Sequence, residues 1–174
     1  MNIHPPAGLQ RIETLAPTEV FLILDYAAPA VGFVAHAPQG QPPGDQPVVV
    51  LLNGHADGYP ELVWPDQLQA QYVLSFGNTA CACFDPASTR IRLAASGPSS
   101  EGCLIVRRAG VFLRVPERRG GMRFGSRDVP IGSGPPVGAA SSGGDVAIPD
   151  WELRLPPDDP GGPPHVLYKS TAKP

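Results

Sequence analysis

The sequence predicts an all-β fold: a sandwich or jelly roll of about eight strands, with an extended Pro/Gly-rich C-terminal segment. Two observations carry this. Short runs rich in Val, Ile, Leu and Phe recur about every ten residues between Pro, Gly, Asn and Asp. The 174 residues also include 23 Pro and 20 Gly. A proline inside a helix removes a donor and clashes with the preceding turn, so this density argues against long helices.

The strands are expected at 19–25, 31–36, 48–52, 71–76, 79–84, 89–94, 103–108 and 111–115, with weaker candidates at 9–15, 151–155 and 165–168. The best helical candidate, 65–72, is too short and too polar to stand as a helix. Two hairpins can be drawn. Gly77-Asn78 suits a type II′ turn that would pair Phe76 with Thr79, Leu74 with Cys81 and Tyr72 with Cys83, placing both cysteines on a core face. A turn near Ala109-Gly110 would put Leu104, Val106, Val111, Leu113 and Val115 on one face and Arg107, Phe112 and Arg114 on the other.

From residue 130 onward Pro and Gly alternate with small polar residues. Such a composition buries too little apolar surface to offset the entropy of ordering it. The expected organisation is therefore a β-domain over 1–129 and an irregular arm over 130–174, docked through Trp151 with Ile148, Leu153 and Leu155. The chain is long enough to hold a core without disulfides or metal, since folding at this size buries roughly 70% of the unfolded surface. No apolar run approaches the roughly 20 residues of a membrane span, and the first residues lack a secretory pattern, so the sequence reads as soluble, without a signal peptide and with no membrane partner.

The chemistry-bearing residues resolve into bland roles. Cys81 and Cys83 are expected as buried, reduced structural thiols, with a bridge from Cys103 to one of them as the alternative. A zinc site would need a second close pair, and His36 and His55 lack ligand spacing. His55 and Asp57 could form a base and its orienter, but Asn53-Gly54 and Asp57-Gly58 are common turn dipeptides. Trp64, Trp151, Tyr59 and Tyr72 could stack on carbohydrate, yet share no evident face and suit packing better. No nucleophile elbow, phosphate loop, dinucleotide fingerprint or zinc-protease motif is present. The expectation is a non-enzymatic protein without a cofactor.

Charge is unevenly distributed along the chain. Residues 1–89 hold one basic and eight acidic residues, a net −7; residues 90–127 hold nine Arg and two Glu, a net +7; the remainder is net −3. The expected interaction surface is therefore Arg-rich: Arg107, Phe112, Arg114, Arg118, Arg119, Arg123 and Arg127, with Trp151 as an anchor. Its partner would be another protein or a second copy of the chain. Nucleic acid is the less favoured partner, because the overall charge of −3 and the acidic first half would repel a long polyanion. The functional expectation is a structural or assembly protein, such as a virion capsid-decoration or tail component, with a carbohydrate- or nucleic-acid-binding module as the alternative.

Overall fold

The computed structural model describes residues 8–24, 29–36, 47–53, 58, 60–68, 72–87, 89–94, 100–119, 122–132 and 145–170. They form fourteen strands and two short 3-10 turns, and no α-helix. The all-β expectation holds; the count of eight strands does not, because each of the eight runs holds one strand and six more lie outside them, at 8–11, 61–63, 122–130, 146–148, 152–155 and 165–169.

Six strands make the first antiparallel sheet: β1 (Gly8–Arg11), β2 (Val20–Ile23), β3 (Ala30–Ala35), β4 (Val48–Leu51), β5 (Glu61–Val63) and β6 (Tyr72–Ser75), in the order β1-β6-β2-β3-β4-β5. The 3-10 turns Ile12–Thr14 and Pro65–Gln67 flank it, the latter standing where the short helical candidate was drawn. The second sheet has the order β11-β10-β9-β12-β8, from β8 (Arg92–Leu93), β9 (Leu104–Arg107), β10 (Gly110–Arg119), β11 (Met122–Pro130) and β12 (Val146–Ile148). Its order β12-β9-β10-β11 is a Greek key, the usual wiring of a sandwich. A third sheet, β14-β13-β7, joins β7 (Cys81–Cys83), β13 (Glu152–Leu155) and β14 (His165–Lys169).

One apolar core links all three sheets. Val20, Leu22, Val31, Phe33, Val48, Val50 and Leu52 of the first pack with Leu104, Leu113, Val115, Val129 and Ile148 of the second and with Trp151 and Leu153. The alternate residues of the first sheet are buried too. Phe21, Ile23, Val34, Val49, Leu51 and Val73 form a second cluster with Ile12, Leu15 and Leu68. A sheet covered on both faces needs apolar side chains at every position, which is why β2 and β4 read as unbroken runs rather than alternating ones. Gly32 serves the same packing: a Cβ there would lie 2.6 Å from Phe21 Cζ and 2.9 Å from the Val50 carbonyl oxygen.

Gly77-Asn78 does not close a hairpin. Gly77 adopts the positive φ of 64° that the turn wants, but the strands on either side enter different sheets, β6 pairing with β1 and β2, and β7 with β13. Phe76 and Gly77 continue the pairing onto Val20 instead. The expected burial of both thiols fails with that hairpin: Ala80 and Ala82 turn to the core, Cys81 is exposed and Cys83 half-buried.

The β9–β10 hairpin forms with its turn one residue earlier than drawn, at Arg108-Ala109, pairing Arg107 with Gly110 and Leu104 with Leu113. That shift moves the register by two and leaves each residue on its expected face. The 129/130 boundary expected from composition falls inside β11, and strands from both sides of it pair in the same sheets: β12 lies between β9 and β8, and β13 between β14 and β7. No helix among the described residues is long and apolar enough to cross a membrane.

Candidate functional site

Arg107, Phe112 and Arg114 were expected on an accessible basic surface, and the structure corrects this. Their face is not open to water: Phe112 packs with Cys103, Ile105 and Ala147, and Arg114 is 4% exposed. Cross-strand pairing sets Arg114 on β10 opposite Asp128 on β11. Arg114 donates to both carboxylate oxygens, Nε to Oδ1 at 2.6 Å and Nη2 to Oδ2 at 2.9 Å. Arg107 also pairs with Asp128, and its Nε donates to Asp145 Oδ2 at 2.8 Å. Its guanidinium lies 5.1 Å from the centre of the Phe112 ring.

Two cations and two anions thus cancel within the fold, where burial alone would make each costly. Hydrogen bonding to Asp128 holds the Arg114 guanidinium above its ordinary pKa against the opposing effect of burial. The network ties β9, β10 and β11 to the residue preceding β12, which makes it a structural clamp. Asp128 and Asp145 went unnoticed in the sequence because a charge count has no register. Asp128 stands one residue beyond the Arg-rich window, yet pairs with two of its arginines.

The other expected surface residues disperse. Arg118 and Arg123 face each other across the far end of the β10–β11 hairpin, and Arg119 pairs with Met122; their side chains lie outside the described set. Arg127 is opposite Val115, on the core-facing side of β11. Trp151 is an internal anchor: its Nε1 donates to the Gly102 carbonyl oxygen at 2.8 Å, and Tyr168 packs 5.3 Å away at 53°. Trp64 also packs against the main core while Tyr72 is exposed, so the aromatics do not form a platform; Tyr59 lies outside the described residues. His55 and Asp57 lie outside them as well. Asn53, just before them in the chain, accepts from the Val31 N–H at 2.7 Å and donates to the Pro29 carbonyl oxygen at 3.0 Å.

Between the three sheets lies a cavity of about 380 Å³, lined by Val20, Phe33, Leu52, Val111, Trp151 and Leu153 among others. Thr18, Asn78 and Cys81 are also among its lining residues. Thr18 holds a φ of 79°, a left-handed conformation unusual for a β-branched residue. On the opposite face of β7 from Ala82, Cys81 and Cys83 bring their sulfurs within 3.2 Å of each other. Burial, then the contact with Cys81, pushes the Cys83 thiol up. All three cysteines are free, and Cys103 is fully buried, its thiol also pushed up by burial. Among the described residues no group of three or more His, Cys, Asp and Glu could hold a metal ion.

The open surface is at the sheet edges. Leu9 on β1 is 71% exposed and pairs with Leu74, which packs against the main core. Leu93 on β8 is 74% exposed and pairs with Val146, which does the same. Residues paired directly across a ladder share a face. Leu9 and Leu93 therefore extend the core-facing rows of the two large sheets beyond the core. On β14, the outer strand of the third sheet, Val166 is also exposed. Compared with known proteins, the chain matches no protein-family model, no curated protein and no solved structure.

Proposed function

We propose that this protein is an assembly component that works through contacts between copies of its own chain, made at its sheet edges. The observation that carries the proposal is the pair Leu9 and Leu93. Each is a large apolar residue on the core-facing row of an outermost strand, with no strand paired beyond it among the described residues. An outer strand presents unpaired N–H and C=O groups, and an apolar row beside them suits a strand from a neighbouring molecule. By contrast β11, at the other end of the second sheet, carries Arg127 on its core-facing side, a device that discourages edge pairing. A virion is one setting for such assembly. No catalytic step is part of the proposal. Light scattering of the full chain tests it: a mass above the 18.3 kDa of one chain is expected, and Leu9→Lys with Leu93→Lys should lower it.

The cavity supports a second reading, a binding module. Its volume falls in the range of small-ligand sites, and polar and apolar atoms share its lining almost equally. That chemistry suits a small molecule with both polar and apolar faces, such as a sugar ring, better than a nucleic-acid strand. A small sugar or other small amphipathic compound that raises the unfolding temperature would favour it over assembly.

A further inference from the structure

Cys81 and Cys83 lie two residues apart on β7, so both side chains leave the same face of the strand, and their sulfurs approach to 3.2 Å. That face is the outer one of the third sheet, since Ala82 between them packs against the core. Cys81 is exposed, and Arg154 stands opposite it on β13 with Glu152 opposite Cys83. Arg154 is held in place by Glu152, which accepts from its Nε at 2.9 Å.

We propose that Cys81 and Cys83 form a two-sulfur site for a soft monovalent cation of the Cu(I) class. Two alternatives for a close thiol pair fit the strand less well. A disulfide needs Cβ atoms about 3.8 Å apart, whereas residues two apart on an extended strand repeat at about 6.6 Å. Closing that gap would buckle β7 and break its ladder with β13. A thiophilic ion bridges the gap instead. With metal–sulfur bonds of about 2.3 Å, two sulfurs on one ion stand up to about 4.6 Å apart, reached by rotating side chains with the strand left in place. Zinc would demand four ligands, and no third His, Cys, Asp or Glu joins the pair among the described residues. Cu(I) prefers soft thiolates and is satisfied with two. On binding, each thiol releases its proton to solvent and a copper–sulfur bond forms in its place; the metal keeps its oxidation state. The site then carries one net negative charge, with the Arg154 guanidinium nearby.

The test is an anaerobic titration of the full-length protein with Cu(I) against a chromogenic Cu(I) chelator. The expected result is one Cu(I) withheld per chain, lost in Cys81→Ser and in Cys83→Ser and retained in Cys103→Ser. X-ray absorption of the copper-loaded wild-type protein should show sulfur neighbours only, which reads the site without any variant. Copper surrendered entirely to the chelator, copper retained after either serine substitution at 81 or 83, or nitrogen and oxygen neighbours would overturn the proposal. So would rapid conversion of the pair to an intramolecular disulfide by glutathione disulfide, with two thiols lost and the β7–β13 pairing preserved.

Discussion

Asp128 is the residue on which most of the buried charge depends, because its two oxygens accept from Arg114 and its Oδ2 accepts from Arg107 as well. Removing one member of a buried pair leaves its partner desolvated without compensation, at a cost of about 3–5 kcal/mol. Asp128→Ala should therefore lower the urea unfolding free energy by about that amount. The double replacement Arg114→Met with Asp128→Leu should recover part of the loss, since an apolar pair of similar volume removes the stranded Arg114 charge while Arg107 keeps Asp145. Equal destabilisation by the single and double replacements would mean that shape, rather than charge, sets the energetics at this point. Gly32 makes a second residue-scale prediction. A methyl group there meets the Phe21 ring and a backbone oxygen that cannot turn away, so Gly32→Ala should cost about 1–3 kcal/mol in the same assay. At this scale the sequence showed which face Arg107 and Arg114 occupy, from alternation in the hairpin. It could not show that the face is buried, because that depends on partners 14 and 38 residues away in the chain.

Strands with long apolar runs were legible as elements. β2, β3, β4 and β9 lie within a residue or two of where composition puts them, since buried strands must be apolar along their length. β11 was not legible. Its sequence, MRFGSRDVP, has little apolar content, and it is a strand because the long β10 beside it offers a ladder from Phe112 to Arg119. The partnership of β6 and β7 misled for a different reason. Gly77-Asn78 has good turn chemistry, but turn chemistry reports only the local bend and not which sheet the chain enters next. β12 was half-visible, through Ile148 as an expected docking residue of the arm, and it occupies an internal position between β9 and β8. Deleting the chain from residue 145 should consequently abolish the cooperative unfolding transition followed by tryptophan fluorescence. Deleting from Pro156 removes only β14, an outer strand, along with the Tyr168 contact to Trp151 and the Ser170 N–H bond to the Trp151 carbonyl oxygen. That truncation should weaken the transition without removing it. A fully cooperative transition after the deletion from 145 would contradict the placement of β12 in the sheet.

On the scale of the whole molecule, the charge segregation visible along the chain is partly undone by folding. Asp128 and Asp145 come from the acidic final segment and neutralise arginines of the basic one, so the sign of a segment does not carry over to the sign of a surface. The surface feature that remains is apolar and lies at the rims of the sheets, in Leu9, Leu93 and Val166. No count of charges or motifs could locate it, because exposure of an apolar residue is decided by where a sheet ends. The most direct test is the mass of the intact chain by multi-angle light scattering over a range of concentrations, for the wild type and for Leu9→Lys with Leu93→Lys. Assembly through the edges predicts a wild-type mass that is a multiple of 18.3 kDa, falling to 18.3 kDa in the double variant with folding retained. A wild-type mass of 18.3 kDa at every concentration, or a larger mass unchanged by the two lysines, would contradict it.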